Sequence, residues 1–173
     1  MLKVLGVHSN VLDDQAIGDG HAWLTLHFEN GNSTSIGLWT SSLGEVRRVV
    51  KDPTGFMLGE TFDVNFGLEN KLGYRAKASR FYALTKDQAL LATKVMGAFT
   101  GWRFSNTCAT WATDVVKRVV GEDLLSSELA GATNTPRALG GAIKRLERIQ
   151  PTSLQCPRGI KGNPICDALQ GGG

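Results

Sequence analysis

A cysteine where a helix begins and a histidine where a strand begins are the two residues of this chain best equipped for chemistry. Cys108 lies in Ser105-Asn106-Thr107-Cys108-Ala109-Thr110-Trp111-Ala112, where a polar loop gives way to helical spacing. The first turn of a helix has unpaired N–H groups and a dipole that favours an anion, so a thiol placed there ionises more readily. The same N–H groups can hold the oxyanion of a tetrahedral intermediate. Asn106 and Thr107 are the candidates for capping that turn. His21 follows a glycine-flanked acid in Gly18-Asp19-Gly20-His21-Ala22-Trp23-Leu24 and opens a β-rich run. A thiol and an imidazole are the minimal set for nucleophilic hydrolysis, provided that they meet in space. A free cysteine also packs as a small buried hydrophobe, and a strand histidine also serves purely structural ends.

A catalytic imidazole needs a third group to fix its tautomer. The run His21 to Glu29 is followed by Asn30-Gly31, a strong hairpin signal, and Asn32 to Thr40 reads as the returning strand. With Asn30-Gly31 as a two-residue turn, Thr40 lies across from His21, Leu38 across from Trp23, and Thr34 across from His27. One face of the first strand then carries His21, Trp23, Thr25 and His27, and the other carries Ala22, Leu24, Leu26 and Phe28. Thr40 across the hairpin, Asp19 two residues before the ring, or a backbone carbonyl can orient His21. His27 shares the face but lies roughly 20 Å along the strand, too far to serve the same thiol. His8, at the end of a first strand over residues 2–8, is a weaker competitor. Trp23, Trp39 and Trp102 are candidate walls of a substrate cleft, or plain core.

The elements that must position these residues are legible at their ends. Residues 76–84 read as a strand. Thr85-Lys86-Asp87-Gln88 is a capping box that opens a helix to about Phe99, with an apolar set of Leu91, Ala92, Val95, Met96 and Phe99. The cysteine helix runs from about Cys108 to Val120, stopped by Gly121, with Cys108, Ala112, Val115 and Val119 on its buried face. Thr135-Pro136 starts a last helix to about Arg148. Between residues 41 and 75 the pattern is weak. Glu45 to Val50 reads as a strand, and 53–75 as an excursion that either shapes a cleft over the sheet or is a surface insertion. Residues 1–150 form a single domain in this reading, and 151–173 a Pro/Gly-rich tail.

A chain of 173 residues with 42% hydrophobic and 20% charged residues has the make-up of a folded globular domain. No apolar run approaches the roughly 18 residues of a membrane helix, so membrane insertion is not expected. Met1 to His8 reads as a strand rather than a signal peptide. The net charge of +3 is scattered, without the dense basic stripe of a nucleic-acid binder. No Cys-x-x-Cys or His-x-x-x-His spacing exists, so neither a metal nor another cofactor is expected. Of the 3 cysteines, Cys156 and Cys166 can close the tail as a disulfide, which would leave Cys108 as the odd, reactive thiol. Three reduced and unrelated thiols are the alternative.

Four segments taken in order resemble one family. Gly20-His21-Ala22-Trp23-Leu24-Thr25-Leu26, Gly37-Leu38-Trp39, Asn106-Thr107-Cys108-Ala109-Thr110-Trp111-Ala112 and Thr135-Pro136-Arg137-Ala138-Leu139 are similar to the circularly permuted NlpC-type cysteine peptidases. More narrowly, they resemble the cell-wall amidase effectors of bacterial type VI secretion systems. In that permuted group the histidine strand precedes the cysteine helix, as here. The resemblance implies an α+β papain-like fold, with an antiparallel sheet packed on the cysteine helix. It implies Cys108 as nucleophile, His21 as base and the amide bonds of peptidoglycan stem peptides as substrate. It further implies action in the periplasm of a target bacterium, an oxidising setting that suits a Cys156–Cys166 bridge, with an immunity protein and a secretion-system carrier as partners. The family's third polar residue usually sits on the strand after the histidine, where this chain offers only Thr40, so a triad, a dyad and a carbonyl orienter all stay open. Permuted papain-like folds also carry thiol acyltransferase and lipid hydrolase activities, and a non-catalytic binding or toxin module is a further alternative.

Overall fold

In a computed structural model the protein is an α+β molecule built on one antiparallel sheet. The structure describes residues 1–12, 20–39, 64–98, 101–102, 106–124, 127–129, 133–154 and 164–170. Asp19, Thr40, the expected strand over Glu45 to Val50, Phe99 and Cys156 lie outside the described residues.

Strands β1 (Leu2–Ser9), β2 (Ala22–Phe28), β3 (Ser33–Leu38), β4 (Val64–Phe66) and β5 (Ala78–Ala83) form the sheet in the order β4-β3-β2-β1-β5. Their period-2 patterning separates two faces. Leu5, Val7, Leu24, Leu26, Ile36 and Leu38 are fully buried on the apolar face. Each such side chain contributes about 1.5–3 kcal/mol by leaving water. Helix α3 (Cys108–Val120) packs across this face against β2 and β3, helix α2 (Lys86–Met96) against β1 and α3, and helix α4 (Pro136–Ile149) against β1 and β5. The other face carries Trp23, Thr25 and His27, as the alternation along β2 requires.

The hairpin is one residue out of the expected register. Leu24 pairs with Ile36, Thr25 with Ser35, Leu26 with Thr34 and His27 with Ser33. The loop uses three residues rather than two. Phe28 N–H donates to Asn32 O at 2.9 Å, Gly31 N–H donates to Phe28 O at 3.0 Å, and Gly31 sits at φ 81°. That is the turn-plus-left-handed-glycine form of hairpin, and only glycine takes its last position without strain. A shift of one residue exchanges the two faces of β3. Ser33, Ser35, Gly37 and Trp39 therefore share the face of His21 and Trp23.

Three further expectations change. The weak segment contributes β4, which pairs with β3, and a one-turn helix α1 (Leu68–Lys71), neither marked by periodicity. Helix α2 buries Ala89, Ala92, Val95 and Met96, whereas Leu91 is partly exposed at 39%. In the tail, helix α5 (Pro164–Gln170) packs against β1 and β5 and buries Ile165 and Cys166. Cys166 is not a free thiol, whereas Cys108 is.

The helix ends follow the sequence signals closely. Thr85 and Gln88 form the reciprocal capping box of α2. Thr135 caps α4, with Pro136 as its first residue, and Gly121 ends α3 in the left-handed conformation. Buried Arg80 on β5 ties the far end of the molecule together, reaching Glu122 after α3 at 2.9 Å and Glu147 on α4 at 2.8 Å. Two shorter strands, β6 (Ser127–Leu129) and β7 (Thr133–Asn134), pair with each other between α3 and α4.

Candidate active site

Thr107 is the N-cap of α3. Its hydroxyl oxygen accepts from Thr110 N–H at 3.2 Å, and its O–H donates to Asn134 O at 2.9 Å. Asn134 in turn donates through Nδ2 to Thr113 Oγ1 at 2.6 Å, which docks the start of α4 on the first turns of α3. Asn106 is not the cap; its Nδ2 donates to Gly101 O at 2.9 Å. Cys108 is thus the first helical residue, 8% exposed, on the buried face that carries Ala112, Val115 and Val119.

His21 reaches this thiol from the strand side. Gly20, at φ 94°, turns the chain into β2 where a Cβ would strike Val11. The backbone of His21 is held on both sides by Asn10, which accepts from its N–H at 2.7 Å and donates to its carbonyl at 3.2 Å. His21 is 5% exposed, and the Cys108 thiol is near enough to raise the pKa of its ring. Its Nε2 lies 3.0 Å from Glu69 Oε1, so Nδ1 is the ring nitrogen left for the thiol.

Glu69 is the residue that sequence reasoning missed. It sits in the single turn of α1, is wholly buried, and accepts at Oε1 from both His21 Nε2 and Trp39 Nε1, each at 3.0 Å. Gly37 makes room for it. A Cβ on Gly37 would lie 2.1 Å from Glu69 Oε1 and 2.8 Å from His21 Nε2. No periodicity or motif marks a four-residue helix, and the wrong hairpin register sends the search to Thr40 instead. Thr40 and Asp19 lie outside the described residues.

Aromatic rings enclose the imidazole. Trp39 lies against one side at 3.9 Å between centroids, Trp23 stacks at 5.9 Å with planes 11° apart, and Tyr74 meets the ring edge-on at 5.6 Å. Ring faces stabilise a cation laid against them. Trp23 and Trp39 therefore wall the base itself, whereas Trp102 is 38% exposed.

The charges follow from these contacts. Burial pushes the His21 pKa down, but the hydrogen bonds and charges of Cys108 and Glu69 outweigh it and raise the value to about 9. Burial pushes the Cys108 thiol up, but His21 and the backbone N–H groups of Ala22 and Ala109 outweigh it and hold the thiol below its ordinary range. Both shifts lead toward the same state, a thiolate beside an imidazolium.

The other two histidines form a separate chain on the same sheet face. His8 Nδ1 meets Ser79 Oγ at 2.9 Å, His8 Nε2 meets Thr25 Oγ1 at 2.8 Å, and Thr25 Oγ1 meets His27 Nε2 at 2.9 Å. Gly6 leaves space for it, since a Cβ there would strike Thr25 Oγ1 and His8 Nε2. His8 also stacks on the far side of Trp23 at 5.4 Å. Burial and the neighbouring His27 lower the His8 pKa to about 3, so its ring is neutral.

No family model, curated protein or solved structure matches the chain, so the chemical case rests on its own residues. Among the described residues, no group of three or more His, Cys, Asp or Glu could hold a metal ion, and no helix is long and apolar enough to cross a membrane.

Proposed function

We propose that this protein is a cysteine hydrolase that cleaves a peptide amide bond in peptidoglycan stem peptides, on a permuted papain-like fold. The observation that carries the reading is His21 hydrogen-bonded to the Glu69 carboxylate and coupled in its protonation to the Cys108 thiol at the first turn of α3. An orienting carboxylate, a base and a nucleophile brought together give each residue of the reaction a role.

The Cys108 thiolate attacks the amide carbonyl carbon, and the N–H groups of the first turn of α3 hold the oxygen as it becomes negative. The His21 imidazolium gives its proton to the amide nitrogen as the C–N bond breaks, releasing an amine and leaving a thioester. Neutral His21 then takes a proton from water, and the hydroxide adds to the thioester. Collapse of that adduct expels the Cys108 thiolate and restores the imidazolium, with a carboxylic acid as product. Glu69 keeps the ring turned so that Nδ1 faces the sulfur throughout. No step needs a cofactor.

The order of the histidine strand and the cysteine helix further supports the reading of an antibacterial effector that acts in the periplasm of a target cell. Such an effector is carried by a secretion system and countered by an immunity protein. That oxidising compartment would suit the Cys156–Cys166 bridge that the sequence offers.

The deciding experiment is digestion of purified sacculi by wild type and Cys108→Ala, with released fragments identified by mass spectrometry. New amine termini that depend on Cys108 identify the bond cut. Equal release by both proteins, or none from a folded wild type, overturns the assignment.

A further inference from the structure

Glu69 uses only half of its carboxylate in the contacts above. Oε1 takes two donors, whereas Oε2 is buried with no partner. Among the described residues four other buried side-chain atoms have no partner, Asn65 Nδ2, Ser35 Oγ, Tyr82 OH and Trp111 Nε1, and the first two belong to the strands beside Gly37. Asn65 is 5% exposed and Ser35 1%. Asn65 pairs with Gly37 across β3 and β4, and Ser35 lies two residues before Gly37 on the same face. Gly37 is the residue over which the Glu69 carboxylate sits. Gly67 N–H donates to Ser35 O at 2.9 Å, which pins the start of α1 to this part of β3.

An unsatisfied buried donor or acceptor is costly, and a buried carboxylate oxygen more so. One amide N–H, one hydroxyl and one carboxylate oxygen are the partner set that a single internal water satisfies, since such waters typically make about three hydrogen bonds. We propose that Asn65 and Ser35 are positioning residues for Glu69, holding its second carboxylate oxygen through one buried water. The water donates to Glu69 Oε2, accepts from Asn65 Nδ2, and exchanges a hydrogen bond with Ser35 Oγ. With Oε2 fixed, the carboxylate cannot rotate, and Oε1 stays aligned on His21 and Trp39 together. This role rests on the reading of His21 and Cys108 as a working pair, but the link to Glu69 is measurable without any substrate.

The test is nuclear magnetic resonance of the full chain, reading the His21 ring nitrogens against pH and the Trp39 indole N–H. In Asn65→Leu, which keeps bulk but removes the donor, the His21 titration should move to lower pH by about one unit or more as the carboxylate loosens. The Trp39 indole N–H should exchange faster with solvent. Ser35→Ala should shift both readouts in the same direction by less, and it decides the matter if Asn65→Leu does not fold. Unchanged His21 titration and unchanged indole exchange in a folded variant would overturn the proposal. An ordinary His21 titration in wild type would sink the reactive pair instead, while the indole exchange would still report on Asn65.

Discussion

Glu69 Oε1 stands 3.0 Å from His21 Nε2 and also 3.0 Å from Trp39 Nε1, so one buried oxygen fixes both the base and the ring that covers it. The carboxylate comes from outside the hairpin that bears the histidine. Glu69→Gln keeps the size but removes the negative charge that favours the imidazolium. We expect the His21 pKa to fall and kcat/KM to drop about 10²-fold or more, the usual scale for a disabled acid–base group. Trp39→Phe, which retains the ring but removes the indole donor, should cost less. Steady-state kinetics on isolated muropeptides would rank the two, and equal losses would argue against the carboxylate's special part.

Gly37 is predicted to tolerate no side chain. In Gly37→Ala the new methyl group would overlap Glu69 Oε1, a contact that ends on a buried carboxylate with little freedom to move. Overpacking of this kind typically costs about 1–3 kcal/mol. Denaturant unfolding should show that loss, and ultraviolet absorbance of the thiolate should weaken at neutral pH. A variant with full stability and an intact thiolate signal would contradict the packing described.

The Cys108–His21 pair sets a pH window. Activity should rise as Cys108 loses its proton, below the ordinary thiol range, and fall as His21 loses its own near 9. The raised His21 value stabilises the fold below 6.5, and that contribution is lost as pH climbs through about 9. The lowered Cys108 value stabilises the fold above 9.0, and that contribution is lost as pH falls through the folded value. Between the folded Cys108 value and 9 the two slopes oppose each other, so stability should change little there while kcat/KM follows a bell. A steep change of melting temperature just below pH 9 would show that the two shifts do not offset each other.

Acid sensitivity is assigned to His8. Its pKa is lowered from 6.5 to about 3, so the unfolded chain binds a proton that the folded chain refuses. The contribution is complete above 6.5 and is lost as pH falls towards 3, with a slope of at most about 1.4 kcal/mol per unit from this group. His27, lowered by burial, adds to the same trend. Unfolding midpoints measured from pH 7 down to about 4 should decline, and His8→Asn should flatten the curve even where it weakens the fold.

What the sequence revealed divides along the range of the interactions. The starts of α2, α3 and α4 are written in neighbouring residues, because a cap acts within one turn; Thr85, Thr107 and Thr135 all accept from an N–H three residues on. Cys108 and His21 were legible because each stands at an element boundary that local chemistry defines. The hairpin was placed but mis-registered, since Asn30-Gly31 fits both a two-residue and a three-residue loop, and the alternation along β3 cannot by itself choose between them. Glu69 was not legible at all. Its role depends on the space above Gly37 and on the pairing of β4 with β3, which no local pattern encodes.

His21 and Cys108 stand 87 residues apart in the chain, and Thr107 must find Asn134 before the nucleophile's turn is anchored. During synthesis the histidine strand leaves the ribosome long before the cysteine does, and the segment that docks the cysteine helix follows later still. Contacts of such long range form slowly, after the hairpins. Before those contacts form, neither side chain has the partner that shifts its pKa. The pKa shifts that couple the two groups depend on chain from residue 106 onward packing against the first strands.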